Sequence, residues 1–198
     1  MARAVAIEKF GLAAYSDGLK IITSIDSAQQ RDAEQAVVRG LNEYTQRHGY
    51  RGPEKRLGSV PDKQAISELQ QLSEIRGMKP VIIHAIGPVI STLDGDEQTL
   101  QLLSNDGNVA EMKWRPTTNP IREYVDENRR AAAITDLSQL LTTGDIIRIR
   151  TPRGVNLSAT DEPEEVFITQ LPTASASLVA LRPYDGAITS ILGGYDFQ

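Results

Sequence analysis

Leu19, Ile21, Thr23 and Ile25 alternate with Lys20, Ser24 and Asp26, the period of a strand with one buried face. Asp26 ends that alternation. With Gln29 three residues on it makes an Asp-x-x-Gln capping box, so a helix is expected to start there. Apolar positions then recur at helical spacing through Ala33, Ala36, Val37, Gly40, Leu41 and Tyr44. Arg31, Asp32, Glu34, Arg39, Glu43 and Arg47 lie off that stripe, and Glu43 sits one turn before Arg47, a favourable pairing. Gly49 and Gly52 supply the helix stop. Upstream, Ala2 to Ala14 reads as a short helix whose larger apolar residues are Val5, Phe10 and Leu12.

Lys55 to Val60 is a polar connector, and Pro61-Asp62 opens a second helix on Ala65, Ile66, Leu69, Leu72 and Ile75, closed by Gly77. The period then changes. Val81–Ser91, Gln98–Leu103 and Val109–Trp114 are separated by Asp94-Gly95 and Asn105-Asp106-Gly107, which predicts a three-stranded meander. Arg115 to Glu127 carries Pro116 and Pro120 without a clear period and reads as a loop. Ala131–Leu141 is expected to hold a short helix capped at Thr135-Asp136 and broken at Gly144-Asp145. In Ile146–Thr151, Ile147 and Ile149 alternate with Arg148 and Arg150, so it reads as a strand; Val155–Pro163 follows as a loop, and Glu165–Leu171 as a fifth strand. Three strands, a helix-containing connection and two more strands is the order of an OB-fold, a Greek-key barrel of five strands. Other small all-β barrels share the strand count.

Pro172–Ser177 is a small-residue linker, and Leu178–Leu181 and Ala187–Leu192 are strands joined by a turn at Pro183-Tyr184-Asp185-Gly186. This hairpin is expected to add to the strand at Leu19–Ile25, with the Ser27–Arg47 helix packed on the resulting sheet. The expected class is therefore α+β, with a five-stranded OB-like β-barrel inserted into a small linker sheet that carries one packed amphipathic helix. The expected divisions are a helix over residues 1–17, a linker strand and helix over 18–60, the barrel with its leading helix over 61–171, and a two-stranded segment over 172–198.

The chain of 198 residues has 40% apolar and 24% charged residues, a globular balance, and a net charge of −5 gives no global positive field to attract nucleic acid or anionic lipid. Without cysteine it can form no disulfide, thiolate metal site or cysteine nucleophile. No apolar run approaches the roughly 18 residues of a membrane span, and Met1–Gly11, with Arg3, Glu8 and Lys9, lacks a signal-peptide pattern.

The positions Tyr15, Gly18, Ile22, Thr23, Ile25, Gln30, Ala33, Ala36 and Val37, followed by the run Arg47-His48-Gly49-Tyr50-Arg51-Gly52-Pro53, resemble class A penicillin-binding proteins in the segment that follows their glycosyltransferase domain. Ala180-Leu181-x-Pro183-x-x-Gly186-Ala187-Ile188 and then Gly193-Gly194-Tyr195-Asp196-Phe197 resemble the first hairpin of that family's transpeptidase domain, with Arg182 where the family usually has Asp. The middle resembles only the family's OB-like insert. The resemblance implies an excised, non-catalytic linker and docking module of a bifunctional peptidoglycan synthase. The parent it implies is a glycosyltransferase and serine-type D-Ala-D-Ala transpeptidase/carboxypeptidase, expected at the periplasmic face of the inner membrane and anchored by an N-terminal transmembrane helix outside this chain. The partners implied are the flanking catalytic domains and an outer-membrane lipoprotein activator or other cell-wall synthesis protein, met through the loops Arg115–Arg130 and Thr151–Pro163.

The residues carry little catalytic signal. The family's Ser-x-x-Lys, Ser-x-Asn and Lys-Thr-Gly motifs are absent, and none of the lysines at 9, 20, 55, 63, 79 and 113 has a serine three residues before it. No catalytic residue, cofactor or metal is expected. His48 reads as part of a structural corner and His84 as a core or barrel-wall histidine. Asp94, Asp96, Asp106, Asp161, Glu162, Glu164 and Glu165 cluster near turns as solvated charges. Trp114, Arg115, Arg148, Arg150 and Arg153 are the candidate partner-binding residues. On an OB barrel some of these could instead stack on and neutralise single-stranded nucleic acid, the alternative function, although one Trp and three Phe make stacking platforms scarce.

Overall fold

A computed structural model describes residues 2–16, 18–151 and 164–196. The expected loop Val155–Pro163, Asp161, Glu162 and the candidate Arg153 lie outside the described residues. The elements are α1 (Ala2–Phe10), α2 (Ala13–Ser16), α3 (Ser27–His48), β1 (Lys55–Arg56), α4 (Asp62–Leu69), β2 (Lys79–Thr92), β3 (Gly95–Leu103) and β4 (Val109–Trp114). They continue with β5 (Arg122–Asp126), β6 (Arg129–Ala133), a single 3-10 turn at Leu137–Gln139, β7 (Asp145–Arg150), β8 (Glu164–Glu165), β9 (Phe167–Thr169), β10 (Ser177–Leu181) and β11 (Ile188–Gly193). The chain divides into two compact units, Met1–Gly40 with Ser175–Phe197, and Leu41–Ala174, the division falling inside α3.

In the first unit β10 and β11 form an antiparallel pair, with Val179 opposite Ile191. The segment Leu19–Ile25 is not a strand, contrary to its alternating pattern. It nevertheless reaches the hairpin: the Ser24 hydroxyl donates to the Ile188 carbonyl (2.7 Å), and the Asp26 N–H donates to the Thr189 carbonyl (2.9 Å). Alternation suits a strand only where a partner backbone runs alongside. Here the chain makes these two bonds at its end and then turns into α3, so Ile21 and Ile22 stay exposed. The cap is as expected, since the Asp26 carboxylate accepts from the N–H groups of Ala28 and Gln29, both at 2.9 Å. Ala33 and Val37 of the apolar stripe are buried.

The second unit is built on a seven-stranded sheet in the order β1-β7-β2-β3-β4-β8, with β9 also pairing β7. The meander is as its turns specify: β2 pairs β3 from Thr92 opposite Gly95, and β3 pairs β4 from Gln98 opposite Trp114 to Leu103 opposite Val109. The expected fifth strand is two short pieces, β8 parallel to β4 and β9 antiparallel to β7. The connector at Lys55–Arg56 pairs with β7. It can do so because Gly144 approaches the backbone at Gly58 so closely that a Cβ there would lie 2.1 Å from the Gly58 carbonyl oxygen. The helix α4 stops at Leu69, before Ile75. Its Ala65 and Leu69 cover Ile82, Leu103 and Ile146 on one side of the sheet, while Val81, Ile83, Leu100, Leu102, Met112, Trp114, Ile147 and Ile149 fill the main core.

The greatest departure lies between β4 and β7. The loop expected over Arg115–Glu127 and the helix expected over Ala131–Leu141 are replaced in part by a hairpin, β5 paired with β6, with Arg122 opposite Ala133. Ala131–Ala133 have high helix propensity, but the pairing to β5 supplies their backbone bonds, and only the turn capped by Asp136 keeps helical character. The two histidines also part from each other: His48 is half-buried at the end of α3, whereas His84 is exposed on β2 and is no core histidine.

Candidate docking surface

The corner at Arg47–Pro53 follows from one glycine. Gly49 has φ +96°, and a Cβ there would sit 2.7 Å from the Arg122 carbonyl oxygen, so only glycine lets α3 end against β5. The next residue clips onto that strand: the Tyr50 N–H donates to the Arg122 carbonyl (2.7 Å), and the Tyr124 N–H donates to the Tyr50 carbonyl (2.9 Å). Gln170 clamps the same corner, its Nε2 donating to the Gly49 carbonyl (2.7 Å) and its Oε1 accepting from the Arg51 N–H (2.8 Å). The Tyr50 ring enters the core, and burial raises its phenol well above the ordinary tyrosine range.

Beside the corner, Glu127 gathers a surface network. Its carboxylate accepts from Tyr124 Oη (2.8 Å), Tyr44 Oη (3.2 Å) and Arg51 Nη2 (3.3 Å), with His48 Nε2 at 3.9 Å. Those hydrogen bonds, Tyr124 first, then Tyr44 and Arg51, hold the Glu127 carboxyl below its usual range. The Arg51 guanidinium stacks 3.6 Å from the Tyr124 ring centre. His48 Nδ1 lies 2.7 Å from the Tyr44 carbonyl, so the histidine serves the corner. Among the described residues no group of three or more His, Asp or Glu side chains is placed to hold a metal ion, and no helix is long and apolar enough to cross a membrane.

The five sequence candidates do not come together. Trp114 is wholly buried in the main core, its Nε1 donating to the Asn119 carbonyl (3.0 Å) and to Asn119 Oδ1 (3.2 Å). Its role is to fill space and seat the Asn119 turn, the reverse of what a docking or base-stacking residue needs. Arg148 is only 3% exposed and is bound on every side: Nε and Nη2 grip the Glu54 carboxylate at 2.7 and 3.0 Å, and Nη1 donates to the carbonyls of Ser73 (2.7 Å) and Met78 (3.1 Å). The alternation that places Arg148 opposite Ile147 holds, but that face is covered by the Glu54 and Ser73 segments. Arg150 is half-buried, with Nη2 donating to the Arg76 carbonyl (3.2 Å).

Arg115 alone of the four described candidates joins a charged cluster near the surface. It bridges Glu97 (3.1 Å) and Glu165 (3.5 Å), and Lys113 meets the other Glu97 oxygen at 3.2 Å. The hydrogen bonds from Lys113 and Arg115 hold the Glu97 carboxyl below its ordinary value against partial burial. Sequence reasoning missed the larger feature nearby, an open cleft of about 660 Å³ between the Gly49 corner, the Asn119–Arg122 turn, Arg130 and β9. Its lining is assembled from five separated stretches, one of which brings in the candidate Arg150 with Thr151, and no local pattern announces such a site.

The match to the Penicillin-binding protein OB-like domain spans residues 50–174, most of the second unit, and the chain belongs to that family. Over all of its length it is similar to Penicillin-binding protein 1A of Pseudomonas aeruginosa, at 33% identity, and of Vibrio cholerae, at 32%. The Escherichia coli protein of the same name is 28% identical over the whole chain. The chain spans about a fifth of those relatives, 22%, 23% and 22% of their respective lengths. The crystal structure of Penicillin-Binding Protein 1A from Haemophilus influenzae superposes with a TM-score of 0.60 at 24% identity, covering 98% of this chain and 25% of that one, a likeness in fold.

Proposed function

We propose that this chain is the non-catalytic linker and docking module of a bifunctional peptidoglycan synthase, placed between a glycosyltransferase and a penicillin-binding transpeptidase domain. The observation that carries the reading is that similarity to Penicillin-binding protein 1A runs the full length of this chain while occupying 22% of the relative. The missing Ser-x-x-Lys, Ser-x-Asn and Lys-Thr-Gly motifs support a non-enzymatic role, because acylation by a penicillin needs an activated serine. The seven-stranded sheet with its two buried clusters gives the second unit the stiffness a spacer needs.

On this reading the parent acts at the periplasmic face of the inner membrane. The divisions 1–17, 18–60, 61–171 and 172–198 are then the tail of a glycosyltransferase, the linker, the OB-like region and the opening of the transpeptidase. The Arg115–Arg130 stretch faces a cell-wall regulator such as an outer-membrane lipoprotein activator. Protruding segments on a rigid sheet suit recognition. The test is a full-length parent in which residues 50–174 are exchanged for a flexible linker of equal length. Each activity measured alone should persist, and glycan polymerisation followed by crosslinking should fall several-fold. Unchanged coupled synthesis overturns the spacing role. A photo-crosslinker at Asn128 that captures only the protein's own catalytic domains overturns the docking role.

A further inference from the structure

We infer that the cleft beside the Gly49 corner is a binding site for a short acidic peptide segment, received by Arg122 and Arg130. The floor of the cleft is apolar, with Tyr50, Ile121 and Ile168 buried beneath it. Three arginines line the cleft, Arg122 and Arg130 of the β5–β6 hairpin and Arg150 of β7, and the hairpin pair is the one the inference uses. Arg122 Nη1 donates to the Ala131 carbonyl (3.5 Å) and Arg130 Nη1 to the Gln46 carbonyl (2.8 Å). Both bonds aim the guanidinium and leave its charge uncompensated, for among the described residues neither group meets a carboxylate. Among the described residues no Asp or Glu lines the cleft. Glu165, tied to the cleft through the Thr118 hydroxyl it accepts from, is itself paired with Arg115. In a chain of net charge −5, a cleft of one sign is a local reversal.

The ligand class follows from the chemistry. Guanidinium forks match carboxylates in a bidentate way, and arginines flanking a groove are a recurrent means of reading acidic motifs. About 660 Å³ holds a few residues of extended peptide and lies within the range of small-ligand sites. The threonine, asparagine and glutamine side chains around the rim suit the amide groups of a peptide backbone. Nucleic acid fits less well, since the one tryptophan is buried in the core and, among the described residues, the cleft offers only the half-buried Phe167 and the buried Tyr50 for stacking. The inference deepens the docking reading, on which it rests for the presence of a partner at this surface.

The experiment is a calorimetric titration of the whole chain with the capped peptide Ac-Glu-Glu-Glu-Glu-NH2, beside its all-glutamine counterpart, inorganic phosphate and a ten-residue oligothymidine. The expected result is saturable binding of the glutamate peptide, at least tenfold tighter than the glutamine peptide. Arg130→Gln and Arg122→Gln should each weaken it at least fivefold. Arg129→Gln, one residue away but paired with Asp126, should leave it unchanged. Arg130 is exposed, so its variant tests the site without endangering the fold. Equal affinity for both peptides, tighter binding of phosphate or oligothymidine, or an equal effect of Arg129→Gln overturns the inference. Its failure is separate from that of the docking role, which the crosslinking in the full-length parent reads.

Discussion

Gln30 and Ile191 are bound to each other twice: the Gln30 Nε2 donates to the Ile191 carbonyl at 2.9 Å, and the Ile191 N–H donates to Gln30 Oε1 at 3.0 Å. A side chain of α3 thereby takes the place of a neighbouring strand along the free edge of β11 and satisfies backbone groups separated from it by 161 residues of sequence. Each such neutral bond contributes about 0.5–1.5 kcal/mol. Gln30→Ala should therefore destabilise the first unit by roughly 1–3 kcal/mol. Hydrogen exchange reads it directly: the Ile191 amide should lose protection, and amides of β2 and β3 should keep theirs.

Gly49→Ala combines a left-handed backbone with a Cβ against the Arg122 carbonyl. A left-handed non-glycine residue alone costs about 1–2 kcal/mol, and the overlap adds to it because strand backbone cannot step aside as a side-chain tip can. The midpoint of urea unfolding should fall with the slope unchanged. A midpoint equal to that of the parent chain would mean that the corner relaxes away from β5.

Removing Arg148 should be the most damaging change at a charged position. Its loss leaves the Glu54 carboxylate and the Ser73 carbonyl without the arginine donors, the Met78 carbonyl keeping the Ile75 N–H, and breaking a buried ion pair typically costs about 3–5 kcal/mol. Arg148→Lys keeps the charge but cannot make the fork to Glu54, so it should recover only part of the stability lost in Arg148→Ala. Thermal unfolding of the two variants checks the order.

Acid should destabilise the chain through Glu127 and Asp136. Both carboxyls are held below their ordinary values of 4.5 and 3.8, Glu127 by Tyr124, Tyr44 and Arg51, and Asp136 by Ser138 and Gln98. A carboxyl with a depressed value in the fold binds fewer protons there than in the unfolded chain. The stability it supplies is thus full above the ordinary value and is lost as the pH falls through the lowered one. Urea midpoints should be flat from neutral pH down to about pH 5 and then decline. In the double variant Glu127→Gln with Asp136→Asn the decline should be shallower.

The single tryptophan offers a clean probe of the second unit. Trp114 is wholly buried, so its native emission should be blue-shifted and resistant to acrylamide, and both properties should vanish in one unfolding step. Quenching of the native protein to the level of a free indole would contradict the placement of Trp114 in the core.

Elements whose signals are local were legible in the chain before it folds. The Asp26 cap, the α3 stripe, the β2–β4 meander and the β10–β11 hairpin rest on side-chain period and turn residues within a few positions, and those physical cues act whatever the rest of the chain does. The remainder depended on neighbours brought together by folding. Leu19–Ile25 has strand periodicity, yet Ser24 and Asp26 make just two bonds to the hairpin. Ala131–Ala133 have helix propensity, yet β5 lies beside them and takes their hydrogen bonds. Arg148 and Trp114 have the chemistry of binding residues, yet Glu54, 94 residues from Arg148, and the core around the indole absorb them. Propensity and period measure what one segment prefers by itself, whereas a strand's partner, an arginine's counter-charge and the walls of a cleft are supplied by distant residues that become neighbours only when the chain has folded.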